Sequence, residues 1–161
     1  MAAHFAERAR ACGADVSLAF ALPERLPLPE ADFCMAMANL LENAVEACER
    51  TERGEGGAGG RGSTAQDGAR PLFVDAEARI EGNAVLVSVR NSCTPSDARA
   101  LAAAAPDGVL SSDARSAKRE GYGIGLASVA TLAKRYRGEV RVEIDDYAAK
   151  IRVLLRTGGA R

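Results

Sequence analysis

Two groups of residues in this chain have the types and spacing to do chemistry. Asn39, Asn43 and Glu46 are four and three residues apart, and at 3.6 residues per turn they fall within about 60° of one another on a helix. An amide oxygen is a good ligand for Mg²⁺, which takes oxygen donors and keeps several waters and substrate phosphates in its shell. Asn is a mediocre helix former, so two in register in mid-helix call for a reason beyond a solvated face, the plain alternative. The second group is Gly121-Tyr122-Gly123-Ile124-Gly125-Leu126, a glycine at every second position before a predicted helix. Such a turn brings backbone N–H groups close to an anion, and the helix N-terminus adds unpaired donors and partial positive charge, so phosphates fit it. An ordinary loop-to-helix connection is the alternative reading. With His4 the single histidine, neither a Ser-His-Asp mechanism nor a histidine-bound metal has material to build on. Cys12, Cys34, Cys48 and Cys93 form no C-x-x-C pair and read as free structural thiols.

The elements that must position these groups follow from periodicity. Val16, Leu18, Phe20 and Leu22 alternate and predict a strand with one face buried, ended by Pro23, Pro27 and Pro29. Phe33, Met37, Leu40, Leu41, Ala44 and Cys48 recur at three- and four-residue intervals and predict an amphipathic helix from Ala31 to about Arg50. Residues 51–70 hold seven of the sixteen glycines and read as a flexible loop. That loop has no lysine, so it is no P-loop, which needs G-x-x-x-x-G-K-S/T. Alternating Val74 to Ile80 and Val85 to Val89 around Glu81-Gly82-Asn83 predict a hairpin. A short helix follows over Ser96 to Ala105 with Ser96 as candidate cap. Residues 106–120 read as a mobile loop, and Ile124 to Arg137 as a second long helix with Leu126, Val129, Ala133 and Tyr136 on one face and Gly138 as its stop. Val140 to Ile144 and Ile151 to Leu155 around Asp145-Asp146 make a second hairpin. This order predicts a two-layer α/β sandwich, a mostly antiparallel sheet covered on one face by helices. The glycine turn follows a long polar loop and not the first strand of a βαβ unit, which excludes a Rossmann site.

At 161 residues, 47% apolar and 27% charged, the chain is one globular domain and not a disordered one. Lys plus Arg number 21 against 22 for Asp plus Glu, so the basic excess of a duplex-binding domain is missing and no nucleic-acid partner is expected. No apolar run reaches the roughly 18 residues of a membrane span, and the start lacks the layout of a secretory signal. A cytoplasmic location without membrane contact by this segment is expected, either as a whole protein or as the cytosolic part of a membrane-bound sensor.

Asn39-Leu40-Leu41-Glu42-Asn43-Ala44 resembles the N-box of the GHKL ATPase superfamily, which contains sensor histidine kinases, type II topoisomerases and mismatch-repair ATPases. Gly121 to Leu126 resembles its second glycine box, in the same order about eighty residues downstream. Asn43-Ala44-Val45-Glu46-Ala47, Val89-Arg90-Asn91-Ser92 and Gly123-Ile124-Gly125-Leu126 are most similar to the Agr-type peptide-sensing histidine kinases. The resemblance covers nearly the whole chain and implies a Bergerat-type sandwich that binds ATP and Mg²⁺. Asn43 matches the family's magnesium ligand, and Asn39 the place where its ATP-hydrolysing members carry a water-activating glutamate. An amide cannot be that base, which suits transfer to histidine over hydrolysis. Gly121, Gly123, Ile124, Gly125 and Leu126 match the phosphate-contacting turn and residues 106–120 the ATP lid, in which Lys118 or Arg119 would neutralise phosphate charge. Asn91 stands where most members have an adenine-binding aspartate in D-x-G-x-G, and the stretch Asn91-Ser92-Cys93-Thr94-Pro95 has no glycine. Glu46 takes the place of a phosphate-contacting lysine, and Tyr122 that of a histidine.

The resemblance implies the catalytic and ATP-binding domain of a sensor histidine kinase, with residues 1–14 the tail of a linker helix, 15–157 the domain and 158–161 a tail. Its partners would be a histidine-bearing dimerisation domain of the parent kinase and a response regulator, the acceptor histidine lying outside this chain. An anti-sigma-factor-type serine kinase and a non-catalytic nucleotide-binding module are the alternatives.

Overall fold

In the computed structural model, residues 1–53, 71–110, 124–145 and 147–158 are described. The elements in order are α1 (Ala2–Ala11), β1 (Asp15–Ala21), α2 (Glu30–Glu52), β2 (Phe73–Glu81), β3 (Ala84–Ser92), α3 (Pro95–Ala104), α4 (Ile124–Arg135), β4 (Glu139–Ile144) and β5 (Ala148–Arg156). The five strands form one sheet in the order β1-β2-β3-β5-β4. β1 runs parallel to β2, because α2 carries the chain back across the sheet between them, and the other pairings are antiparallel. The predicted two-layer sandwich is therefore present.

The sheet has one apolar face. Val74, Ala76 and Ala78 of β2, Val85, Val87 and Val89 of β3, and Ile151, Val153 and Leu155 of β5 are all buried, as period-two alternation requires. From the helix layer, Met37, Leu40, Leu41, Ala44, Val45 and Cys48 of α2 and Leu126, Val129, Leu132 and Ala133 of α4 close the same core. Residues 1–14, expected as the tail of a linker helix, contain α1, whose Phe5, Ala6 and Ala9 are buried. Arg8 of α1 bonds Glu42 at 2.7 Å and Glu49 at 3.1 Å on α2.

Several expectations are corrected. β1 was expected to bury one face, yet Leu18 is 36% and Phe20 41% exposed. β1 is an edge strand, and of the predicted apolar row Val16 and Leu22, at its two ends, pack against the core while Leu18 and Phe20 between them do not. The cap of α3 is Thr94 and not Ser96: Thr94 Oγ accepts from the Asp97 N–H at 3.1 Å, and Asp97 accepts from the Thr94 N–H at 3.2 Å. Reciprocal satisfaction of two end donors outweighs what a lone serine two residues on can offer. The end of α4 comes at Arg135, and the left-handed residue is Arg137 (φ 50°) rather than Gly138. Gly138 is required for another reason, since a Cβ there would sit 1.7 Å from the Leu154 carbonyl oxygen. Of the four thiols only Cys48 and Cys93 are buried, while Cys34 is exposed.

Candidate functional site: two amides under the first turn of α4

α2 forms because its apolar residues from Phe33 to Cys48 hold one stripe for about four turns, with Glu30 and Asp32 in the first turn favourably placed for the helix dipole. Asn39 and Asn43 lie on the border of that stripe and are half-buried. α4 packs across α2, and its second residue, Gly125, sits on both amides. A Cβ placed on Gly125 would lie 3.4 Å from Asn39 Oδ1 and 3.5 Å from Asn43 Nδ2. These are ordinary contact distances, so the start of α4 lies directly against the two amides.

Asn43 Nδ2 is buried with no hydrogen-bond partner among the described residues. A buried unpaired donor costs about 1–3 kcal/mol, and native structures keep few of them. Among the described residues no group of three His, Cys, Asp or Glu could hold a metal ion. A cation here would rest on amide oxygens, water and a ligand's own phosphates.

Asn91 is the last residue of the row Val85, Val87, Val89 on β3 and is 5% exposed. Its Nδ2 donates to the Ser92 carbonyl at 2.9 Å, so the free end of the amide is the acceptor Oδ1. β3 packs against α2, with Cys48 Sγ 3.6 Å from the Phe73 carbonyl oxygen and 4.0 Å from that of Ser92. Burial pushes the Cys48 thiol up to about 12 and the Cys93 thiol up to about 11, so both stay protonated and inert near neutral pH.

Glu46 is half-buried and approaches Arg50 at 3.7 Å; Arg50 Nε in turn donates to Asp97 at 3.1 Å. Leu126 is 3% exposed within the core, so it packs the base of α4. The structure thus brings Asn39, Asn43 and Gly125 together, with Asn91 and Glu46 toward the C-terminal half of α2. Lys118, Gly121 and Gly123 lie outside the described residues, as do residues 54–70 and 111–120 of the two predicted loops. Sequence reasoning missed Arg50, eleven residues after Asn39 on the same stripe, and Asp97, although Thr94-x-x-Asp97 has capping-box spacing. No described helix is long and apolar enough to cross a membrane.

A family model described as the GHKL domain matches residues 64–156, a span that includes Asn91 and Gly125 and begins downstream of α2. No curated protein matches the chain. Among solved structures, the catalytic domain of histidine kinase ThkA superposes with a TM-score of 0.60 at 16% identity, covering 96% of this chain and 86% of that one. The Acinetobacter baumannii histidine kinase AdeS gives 0.55 at 10% identity, over 98% of this chain and 61% of that one. Full-length ShkA, solved in complex with AMPPNP, gives 0.56 at 22% identity, over 96% of this chain and 28% of that one. The chain therefore spans less than two thirds of AdeS and under a third of ShkA, and at these identities the likeness is one of fold. Since the matched span is more than half of the chain, the protein belongs to the GHKL domain family, whose members bind ATP.

Proposed function

We propose that this chain is the catalytic, ATP-binding domain of a sensor histidine kinase. The observation that carries the reading is Gly125 lying over the paired amides of Asn39 and Asn43. A helix start and a metal-capable amide there face one small space, the arrangement a metal-bound triphosphate needs. The donor set fits Mg²⁺. Turning the Asn43 amide exchanges its orphaned nitrogen for an oxygen in the same envelope, and Mg²⁺ takes few protein ligands beside phosphates and water. When bound, Mg²⁺ neutralises phosphate charge. Asn43 would hold it, and Asn39, which cannot act as a base, would orient phosphate without activating water. Gly125 and the turn Gly121 to Gly123 would present N–H groups to phosphate oxygens, with Lys118 adding charge, and Asn91 Oδ1 would accept from the adenine amino group. Positioning and charge neutralisation supply most of the catalysis in phosphoryl transfer.

The finer assignments belong to the same proposal: the Agr-type subgroup, residues 15–157 as the domain, a dimerisation helix bearing the acceptor histidine, a response regulator, and a cytoplasmic setting. Two experiments test it. Mg²⁺-ADP at 100 times its Kd should stabilise the fold by about 2.7 kcal/mol in thermal denaturation. Labelled ATP with a candidate acceptor hairpin should then give acid-labile phosphohistidine. No thermal shift at millimolar nucleotide would sink the reading, and an acid-stable product would replace histidine with serine.

A further inference from the structure

Arg50 extends the stripe of Asn39, Asn43 and Glu46 by one turn, at a position about 20° from Asn39 around the helix. Its guanidinium is only partly exposed and joins two elements. Nε donates to Asp97 Oδ1 at 3.1 Å, and Nη1 lies 3.7 Å from Glu46 Oε2. Asp97 is the buried member, its side chain 7% exposed. The other oxygen of that carboxylate accepts from the Thr94 N–H at 3.2 Å, which fixes the end of the segment that starts at Asn91. Asn91 itself is tied to that segment by its bond to the Ser92 carbonyl. Hydrogen bonds therefore run from the stripe of α2 through Arg50 and Asp97 to the Thr94 N–H, three residues along the backbone from Asn91.

We propose that Arg50 is a positioning residue for nucleobase choice: through Asp97 it registers the Asn91–Thr94 segment on α2 so that Asn91 presents its amide oxygen to the base. This rests on the nucleotide-binding reading above. A fixed acceptor pairs with the 6-amino donor of adenine and opposes the 6-oxo acceptor of guanine. A mismatch of this kind costs a buried polar group its partner. Loosening the segment lets the amide turn and accept either base, whereas the metal and phosphate end at Asn39, Asn43 and Gly125 stays as it was.

The test is the ratio of ATP to GTP affinity, measured by calorimetry on the whole chain with Mg²⁺. The native protein should favour ATP by at least about tenfold. Arg50→Ala and Asp97→Asn should each bring the ratio to within about threefold of unity, mainly by weakening ATP, and the double variant should go no further than either single one. If Arg50→Ala does not fold, Arg50→Gln, which keeps a donor without charge, must still lower the ratio. An equal loss of both nucleotides, or an unchanged ratio, would show a merely structural clip and overturn the inference while leaving the nucleotide site intact. Failure of the native protein to bind ATP would instead sink the functional reading itself.

Discussion

The two faces of the sheet handle polar groups in opposite ways. On the open face, cross-strand rows read Arg79–Leu86–Leu154–Glu139, Glu77–Ser88–Arg152–Arg141 and Asp75–Arg90–Lys150–Glu143. Glu77, Arg79, Leu86, Arg141, Lys150 and Arg152 are among the residues that line a shallow trough of about 430 Å³ on this face. Arg141 and Arg152 stand directly opposite each other, a costly juxtaposition relieved because Arg141 turns to Glu139 at 2.6 Å and Arg152 to Glu143 at 3.1 Å. In solvent such pairs are worth little. The helix-covered face has few polar groups, but Asn91 is buried there and, among the described residues, nothing pairs with the Asn43 Nδ2 donor. A charge in water says little about function; an unpaired amide in a core does, because the fold bears a cost that a ligand could remove.

This contrast can be tested at four points. The largest effect should come from the apolar wall of the covered face: Leu40→Ala should lower unfolding free energy by about 2–5 kcal/mol in urea titrations. Asn43→Ala should act differently. The ligand-free protein should lose almost nothing, because an unpaired buried donor is removed, while the roughly 2.7 kcal/mol stabilisation by saturating Mg²⁺-ADP disappears. A large loss of ligand-free stability would mean that Asn43 serves packing. High pH provides a smaller probe of the covered side. Unfolded thiols ionise near 9, whereas Cys48 holds its proton to about 12 and Cys93 to about 11. Above pH 9 the native state therefore binds more protons than the unfolded one. Stability should fall as pH rises, by up to about 1.4 kcal/mol per unit for each thiol, and Cys48→Ala should flatten the slope. The smallest effect belongs to the open face, where Arg152→Ala should change stability by no more than about 0.5 kcal/mol and leave nucleotide affinity unchanged. A larger change in affinity there would erase the distinction between the faces.

How far the chain could be read in advance varies by element. α2 was legible because about four turns of apolar periodicity and two asparagines in register are local facts. Both hairpins were legible from alternation broken by turn residues. β1 was misread, because alternation records which side chains share a face and not whether anything covers it. Ser96 was a reasonable cap on its own, and Thr94 prevailed because Asp97 could answer it.

The amino-acid order by itself determined the elements, their apolar faces and the two chemically suggestive groups, since these depend on propensities and periods within a few residues. Only the tertiary structure decided that Gly125 comes to rest on Asn39 and Asn43, that Asn43 Nδ2 loses its solvent, and that Arg50 reaches Asp97. Those relations join residues 47 to 86 positions apart in the chain. They are set by how α4 and β3 pack on α2, where burial of apolar surface fixes the geometry and the polar groups take the places left to them.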